Sequence, residues 1–222
     1  MFGVAYNAKS KPKVILTFDD GWQDTYTNAY RIMEPYGFKG VTYAVSDFAQ
    51  GNDPNYMRKS TLDALYAAGW DVSNHSKHHE NYNITPGADA LAMKASYQVC
   101  LDYLLGCGYE RSARFLCYPN GGFDDELIQY IKEIGIISAR TTRIGLNPPL
   151  PFDVYKMKQV TIGPVTTFGV DTSSNDMKAS IDRAVASGQA LAVMMHRVSL
   201  DAEMETPGDI TNSIKTSETM LT

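Results

Sequence analysis

The 222 residues contain four histidines, and three of them lie in one short run, His75-Ser76-Lys77-His78-His79. The fourth, His196, ends an apolar segment near the other end of the chain. Imidazole is the commonest metal ligand and the usual acid or base near neutral pH. His75 and His79 are four apart. In a helical turn that spacing sets both rings on one side, able to share a metal, and sends His78 elsewhere. A histidine pair alone is a weak signal, and Asp20 strengthens it. Asp20 follows a buried apolar segment and precedes Gly21, so its carboxylate is expected at the end of a sheet. Two imidazoles and one carboxylate leave a coordination position open, as catalytic zinc requires. Cobalt, nickel or iron would accept the same donors. An Asp-Asp-Gly run is usually a solvated turn. Asp19, however, directly ends the apolar run VILTF. An anion there, beside the metal but not bound to it, is placed to take a proton from water.

These residues must be carried by a scaffold. Val14–Phe18, Val41–Val45, Asp71–Asn74, Arg114–Tyr118, Ile136–Ala139, Val160–Ile162 and Ala190–Met195 read as strands. Helical stretches alternate with them at Thr25–Tyr36, Ser60–Ala68, Ala88–Leu105, Asp124–Glu133 and Asn175–Ala186. Ser60 or Thr61 is the expected N-cap of the second helix, and Asp124 and Asp125 suit the positive end of the fourth. Pro148 to Asp153 is a proline-rich loop. Strand–helix alternation along the whole chain predicts an α/β fold with a parallel sheet. Asp19-Asp20, His75, Tyr118-Pro119 and His196 all fall at C-terminal strand ends. In a barrel those ends converge on one mouth, where active sites sit.

Composition narrows the partners. Hydrophobic residues make up 44% and charged residues 20%, ordinary for one globular domain of this length. The net charge of −5 gives no basic footprint for nucleic acid. No apolar run approaches the ~20 residues of a membrane span, and Met1–Pro12 lacks the apolar core of an export signal. Three cysteines, Cys100, Cys107 and Cys117, do not form a disulfide framework. Cys100 and Cys107, two turns apart on one helix face, would stand ~10 Å apart. All three read as small buried apolar side chains. Of the two tryptophans, Trp70 reads as core, whereas Trp22 could stack on a sugar ring or pack at the rim.

Thr17-Phe18-Asp19-Asp20-Gly21 and His75-Ser76-Lys77-His78-His79 resemble the first two motifs of the NodB-type polysaccharide deacetylases, carbohydrate esterase family four. Leu191–His196 resembles the family's last motif, and Tyr118-Pro119-Asn120-Gly121 looks like a variant of its third. The resemblance runs from about Lys13 to Val198 and implies a distorted (β/α)7 barrel. It implies a single catalytic domain over 1–222, with a core of about 13–198; the polar tail beyond it, read from its own residues, allows a short helix from Thr211. It implies that Asp20, His75 and His79 bind zinc, that Asp19 is the general base and that His196 is the general acid. The metal and the backbone N–H near Asn120 would stabilise the oxyanion, and Ser76 would support the metal loop. Tyr118, Asn120 and Trp22 are the candidates for touching substrate. The implied activity is removal of acetyl groups from a polysaccharide, most of all N-acetyl groups of an N-acetylhexosamine polymer, on a glycan outside the cytoplasm.

Two departures stand out. The family often carries an arginine where this chain has Cys117, and it steadies the base. Arg114 is three residues earlier on a strand, on the opposite face, so the role does not pass to it. The family's Asp-x-x-Asp-Trp motif is also missing, its region being occupied by Thr141–Gly145 and the following loop. The alternatives are therefore an O-acetyl polysaccharide esterase with the same site chemistry, or a glycan-binding module that has lost turnover. A purely structural zinc site is disfavoured, since such sites usually have four protein ligands.

Overall fold

The computed structural model describes residues 13–162 and 174–198. The tail helix expected from Thr211 lies outside them, as does Met1–Pro12. Seven strands close a parallel barrel in sequence order: β1 (Lys13–Phe18), β2 (Val41–Ala44), β3 (Asp71–Asn74), β4 (Phe115–Cys117), β5 (Ser138–Ile144), β6 (Met157–Thr161) and β7 (Ala190–Met195). The closure is made by β1 and β7, in register from Lys13↔Ala190 to Phe18↔Met195. The barrel is distorted at two seams. Strands β3 and β4 share a single register pair, Asn74↔Leu116, and the β5–β6 register shifts between Arg140 and Ile144.

Around the barrel lie α1 (Arg31–Met33), α2 (Ser46–Gln50), α3 (Lys59–Ala67), α4 (Ala90–Gly106), α5 (Asp125–Glu133) and α6 (Ser174–Ser187). The single helix expected over Thr25–Tyr36 is a π-helical turn, a short α segment and a 3-10 turn in succession, closed by Gly37 at φ 71°. Helix α3 starts one residue before Ser60. Its N-cap is Arg58, held extended while its guanidinium donates to the Phe48 and Asp53 carbonyls, so neither Ser60 nor Thr61 caps it. Asp89 and Asp124 do cap α4 and α5, accepting from the Ala92 and Leu127 N–H groups. No helix among the described residues is long and apolar enough to cross a membrane.

The period-2 alternation of the strands divides the interior into two chemistries. Phe18, Ala44, Val72, Leu116, Ala139, Val193 and Met195 face outward and join the helices in one apolar cluster with Trp70, Leu62, Leu65, Leu101, Leu104 and Ile131. The alternate residues, Thr17, Tyr43, Ser73, Cys117 and Arg140, are also buried but face the barrel axis. This polar inner layer lies beneath the mouth where the strand ends converge.

Candidate metal centre and active site

Asp20 and Gly21 follow β1 in left-handed conformations, φ 69° and 77°. Aspartate tolerates this region better than most residues, and the turn swings the Asp20 carboxylate across the mouth. His75 continues β3. The segment to His79 is not the helical turn expected from the spacing: Ser76 and His79 both have positive φ, 71° and 63°. A tight irregular loop does what a helix would have done, bringing the two rings edge to face with centroids 4.9 Å apart. His78 points away and pairs with Asp47 on α2.

Asp20 Oδ1 stands 3.2 Å from His75 Nε2 and 3.2 Å from His79 Nε2. The same oxygen is buried and receives no hydrogen bond. Donors bound ~2.0–2.1 Å from one tetrahedral ion stand about 3.3 Å apart, so these three atoms outline one face of such a site. The His75 tautomer agrees. Its Nδ1 lies 2.9 Å from the Cys117 carbonyl, which can only accept, so Nδ1 carries the proton and the Nε2 lone pair faces the ligand cluster. The residues fit a divalent metal. Burial works to raise the Asp20 carboxyl, but the His75 and His79 rings against it outweigh burial and hold it well below the usual carboxylate range. The remaining Asp20 oxygen, Oδ2, accepts the indole N–H of Trp22 at 3.1 Å. The Trp22 ring is stacked on Tyr56 at 4.5 Å and lies under the Arg197 guanidinium, so much of it is already committed to protein contacts.

Asp19 is 3% exposed and faces inward. Its N–H donates to the Met195 carbonyl, which ties it to β7. Its two oxygens receive Arg140 Nη2, Oδ2 at 2.6 Å and Oδ1 closer still. Arg140 is the arginine that the sequence did not reveal. It projects from β5, and its register partner on β4 is Cys117. Neighbours in register on parallel strands share a face, so a side chain at 140 reaches the space that a side chain at 117 would fill. The Cys117 Sγ lies 2.9 Å from Arg140 Nη2 and 3.7 Å from Asp19 Oδ2. Cys117 is thus a polar neighbour of the ion pair and not simply an apolar filler; Cys100 is buried and Cys107 partly buried, and all three are free. Burial would raise the Asp19 carboxyl, but Arg140, then His75 and His196, outweigh it and keep it lowered.

Asp19, His75 and Cys117 also bring donor atoms within 4.8 Å of one another. That set does not suit a second cation, because the guanidinium already lies against both Asp19 and Cys117. His196, immediately after β7, is close enough to lower both carboxyls.

The third motif forms a 3-10 turn over Pro119–Gly121, with Asn120 exposed and left-handed at φ 54°. The Gly121 and Gly122 N–H groups are used by the Tyr118 and Pro119 carbonyls. Only glycine fits at 121: its φ is +75°, and a Cβ would come within 2.0 Å of Thr142 Oγ1. The Tyr118 side chain corrects the expectation of a substrate contact. It is fully buried, its hydroxyl donates to the Tyr155 carbonyl at 3.2 Å, and its ring stacks on Phe123.

Known proteins agree with this architecture. The family model described as polysaccharide deacetylase matches residues 6–138, more than half the chain. The chain belongs to the polysaccharide deacetylase family. It is 27% identical over 146 residues to the poly-beta-1,6-N-acetyl-D-glucosamine N-deacetylase of Staphylococcus epidermidis, covering 60% of this chain and 50% of that one. The Staphylococcus aureus protein of the same name is 26% identical, covering 59% and 49%. The chain thus spans about half the length of these relatives. Among solved structures, the Streptococcus pyogenes deacetylase PplD in complex with acetate aligns with a TM-score of 0.58 at 18% identity, over 75% of this chain and 69% of that one. The family 4 carbohydrate esterase of Streptomyces lividans aligns with a TM-score of 0.55 at 17% identity, over 83% and 79%. They share the distorted (β/α)7 barrel.

Proposed function

We propose that this chain is a zinc-dependent hydrolase that removes acetyl groups from an N-acetylhexosamine polymer outside the cytoplasm, and that its core from 13 to 198 is one catalytic domain. One observation carries the reading: a three-donor face at Asp20, His75 and His79 stands beside a buried aspartate that is held ionised yet is no ligand. A zinc bound there would supply a Lewis acid for the acetyl carbonyl and for water. Asp19 is the base that takes the proton from the attacking water. Arg140 keeps Asp19 ionised and aimed at the mouth. His196, delivered by β7, gives a proton to the departing amine. A backbone N–H near Asn120, in the turn after β4, donates to the developing oxyanion. Trp22 and Asn120 remain the candidates for contact with a sugar. The names of the staphylococcal relatives, poly-beta-1,6-N-acetyl-D-glucosamine N-deacetylases, support the choice of polymer class.

The binding-module alternative rested on a missing arginine, and Arg140 removes that motive. The test is acetate release from N-acetylglucosamine oligomers, peptidoglycan and acetylated xylan, with chelator and then zinc. Chelator-sensitive release from the oligomers or peptidoglycan, restored by zinc, supports the proposal. Release from xylan alone makes the chain an O-acetyl esterase. Metal bound with no release from any substrate overturns the hydrolase reading.

A further inference from the structure

The metal loop has an unusual hydrogen-bond pattern. Four consecutive backbone N–H groups, those of Ser76, Lys77, His78 and His79, each donate to a side-chain oxygen. The acceptors are Asn74 Oδ1 at 3.0 Å, Ser96 Oγ at 3.0 Å, Glu80 Oε2 at 3.3 Å and Ser76 Oγ at 2.9 Å. No helix or sheet ladder holds this stretch, so side chains satisfy its donors. Two of those acceptors meet at one carboxylate. Glu80 receives the Ser76 hydroxyl at 2.9 Å and the Ser96 hydroxyl at 2.8 and 2.9 Å. The proton inventory closes: each hydroxyl donates once, to Glu80, and accepts once, from a loop N–H. Ser96 is 6% exposed and sits on α4, outside the barrel wall. Asn74, at the base of the loop, is tied to the same helix through its Nδ2–H and the Tyr97 carbonyl at 2.9 Å.

We infer that Glu80 and Ser96 are positioning residues for the metal loop: their hydrogen bond fastens Ser76, and through it His79, to helix α4, and so fixes the distance between the two histidines. The inference rests on Asp20, His75 and His79 being the metal ligands. Neither residue touches the metal face itself. What they hold is a loop with two left-handed non-glycine residues, a conformation that persists only where its surroundings enforce it. Released from Glu80, the Ser76 hydroxyl loses the partner that orients it toward the His79 N–H. His79 then becomes the ligand whose position is least defined.

The experiment is zinc affinity by chelator competition on apo protein, well below its melting temperature, for wild type, Ser96→Ala, Glu80→Gln and Ser96→Thr. Ser96→Ala and Glu80→Gln are expected to weaken zinc about 10- to 100-fold. Ser96→Thr, which keeps the hydroxyl, should stay close to wild type. At saturating zinc, both weakened variants should recover most of their acetate release. A merely structural role would lower the apo melting temperature and leave zinc affinity unchanged; that result overturns the inference. If Ser96→Ala does not fold, Glu80→Gln carries the same comparison. A wild-type chain that binds no zinc overturns the metal reading and this inference together, whereas tight wild-type binding matched by both variants overturns this inference alone.

Discussion

Asp19 and Asp20 are consecutive and chemically identical, yet the fold gives them opposite surroundings. Asp19 keeps the extended course of β1, turns into the polar interior and meets a guanidinium. Asp20 enters a left-handed turn, faces the mouth and meets two imidazole rings and an indole N–H. Both carboxyls are lowered against the opposing effect of burial. Asp19 is lowered chiefly by a fixed cation, Arg140, which suits the base role proposed for it. Asp20 is lowered by the His75 and His79 rings, which in the proposed site would share a metal with it, so its charge would belong to the ligand set. One peptide unit and one change in the sign of φ separate the two surroundings.

Substitutions on either side should break the symmetry in different ways. The largest effect is expected for Asp20→Ala, which should abolish both zinc content, read by elemental analysis, and acetate release. Asp19→Asn should retain stoichiometric zinc and lose about 10²- to 10⁴-fold in rate, the usual contribution of a general base; near-wild-type turnover would place the base elsewhere. Arg140→Met leaves Asp19 buried without its partner, which should destabilise the fold by about 3–5 kcal/mol in denaturant titration. Burial then acts against less opposition, so the Asp19 carboxyl rises and the acid limb of the pH–rate profile moves to higher pH. The sign on stability follows. The pair contributes above the ordinary carboxylate range, and its contribution is lost as pH falls through the lowered folded-state value. Because 117 and 140 are register partners, Cys117→Arg in an Arg140→Ala background should restore part of the lost turnover. Trp22→Phe touches only the Asp20 side and should weaken zinc about 10-fold with little change in rate at saturating metal. Cys117→Ala should be smallest, about 1 kcal/mol.

Much of this architecture is legible in the sequence. The alternation of strands and helices, the barrel and the gathering of Asp19, Asp20, His75 and His196 at one mouth all follow from motifs that are local in sequence. Arg140 was not legible, for a specific reason. The apolar run Ile136–Ala139 suggested a strand that stopped one residue short of it, whereas β5 continues through the polar Arg140-Thr141-Thr142-Arg143 to Ile144. Apolar periodicity marks strands whose faces meet hydrophobic neighbours, and the inner face of this barrel is polar. A charged residue flanked by Ala139 and Thr141 was the available signal. The family's arginine position lies on β4, at Cys117, whereas the partner of Asp19 comes from β5, and lateral register between strands is not written in one strand. The helical geometry expected for His75–His79 failed similarly, since i, i+4 spacing states which residues meet and not the backbone path between them.

The closure of the barrel by its first and last strands also sets an order of events during folding. Thr17 and Val193, hydrogen-bonded across that seam, are 176 residues apart, and contacts that distant form slowly because a long loop must close first. Asp20 follows β1, and His75 and His79 follow β3, so none of the three waits for that closure. His196 comes within electrostatic reach of Asp19 only when β7 docks on β1. A refolding chain should therefore take up zinc before it regains turnover, and the lag between the two would time the completion of the barrel.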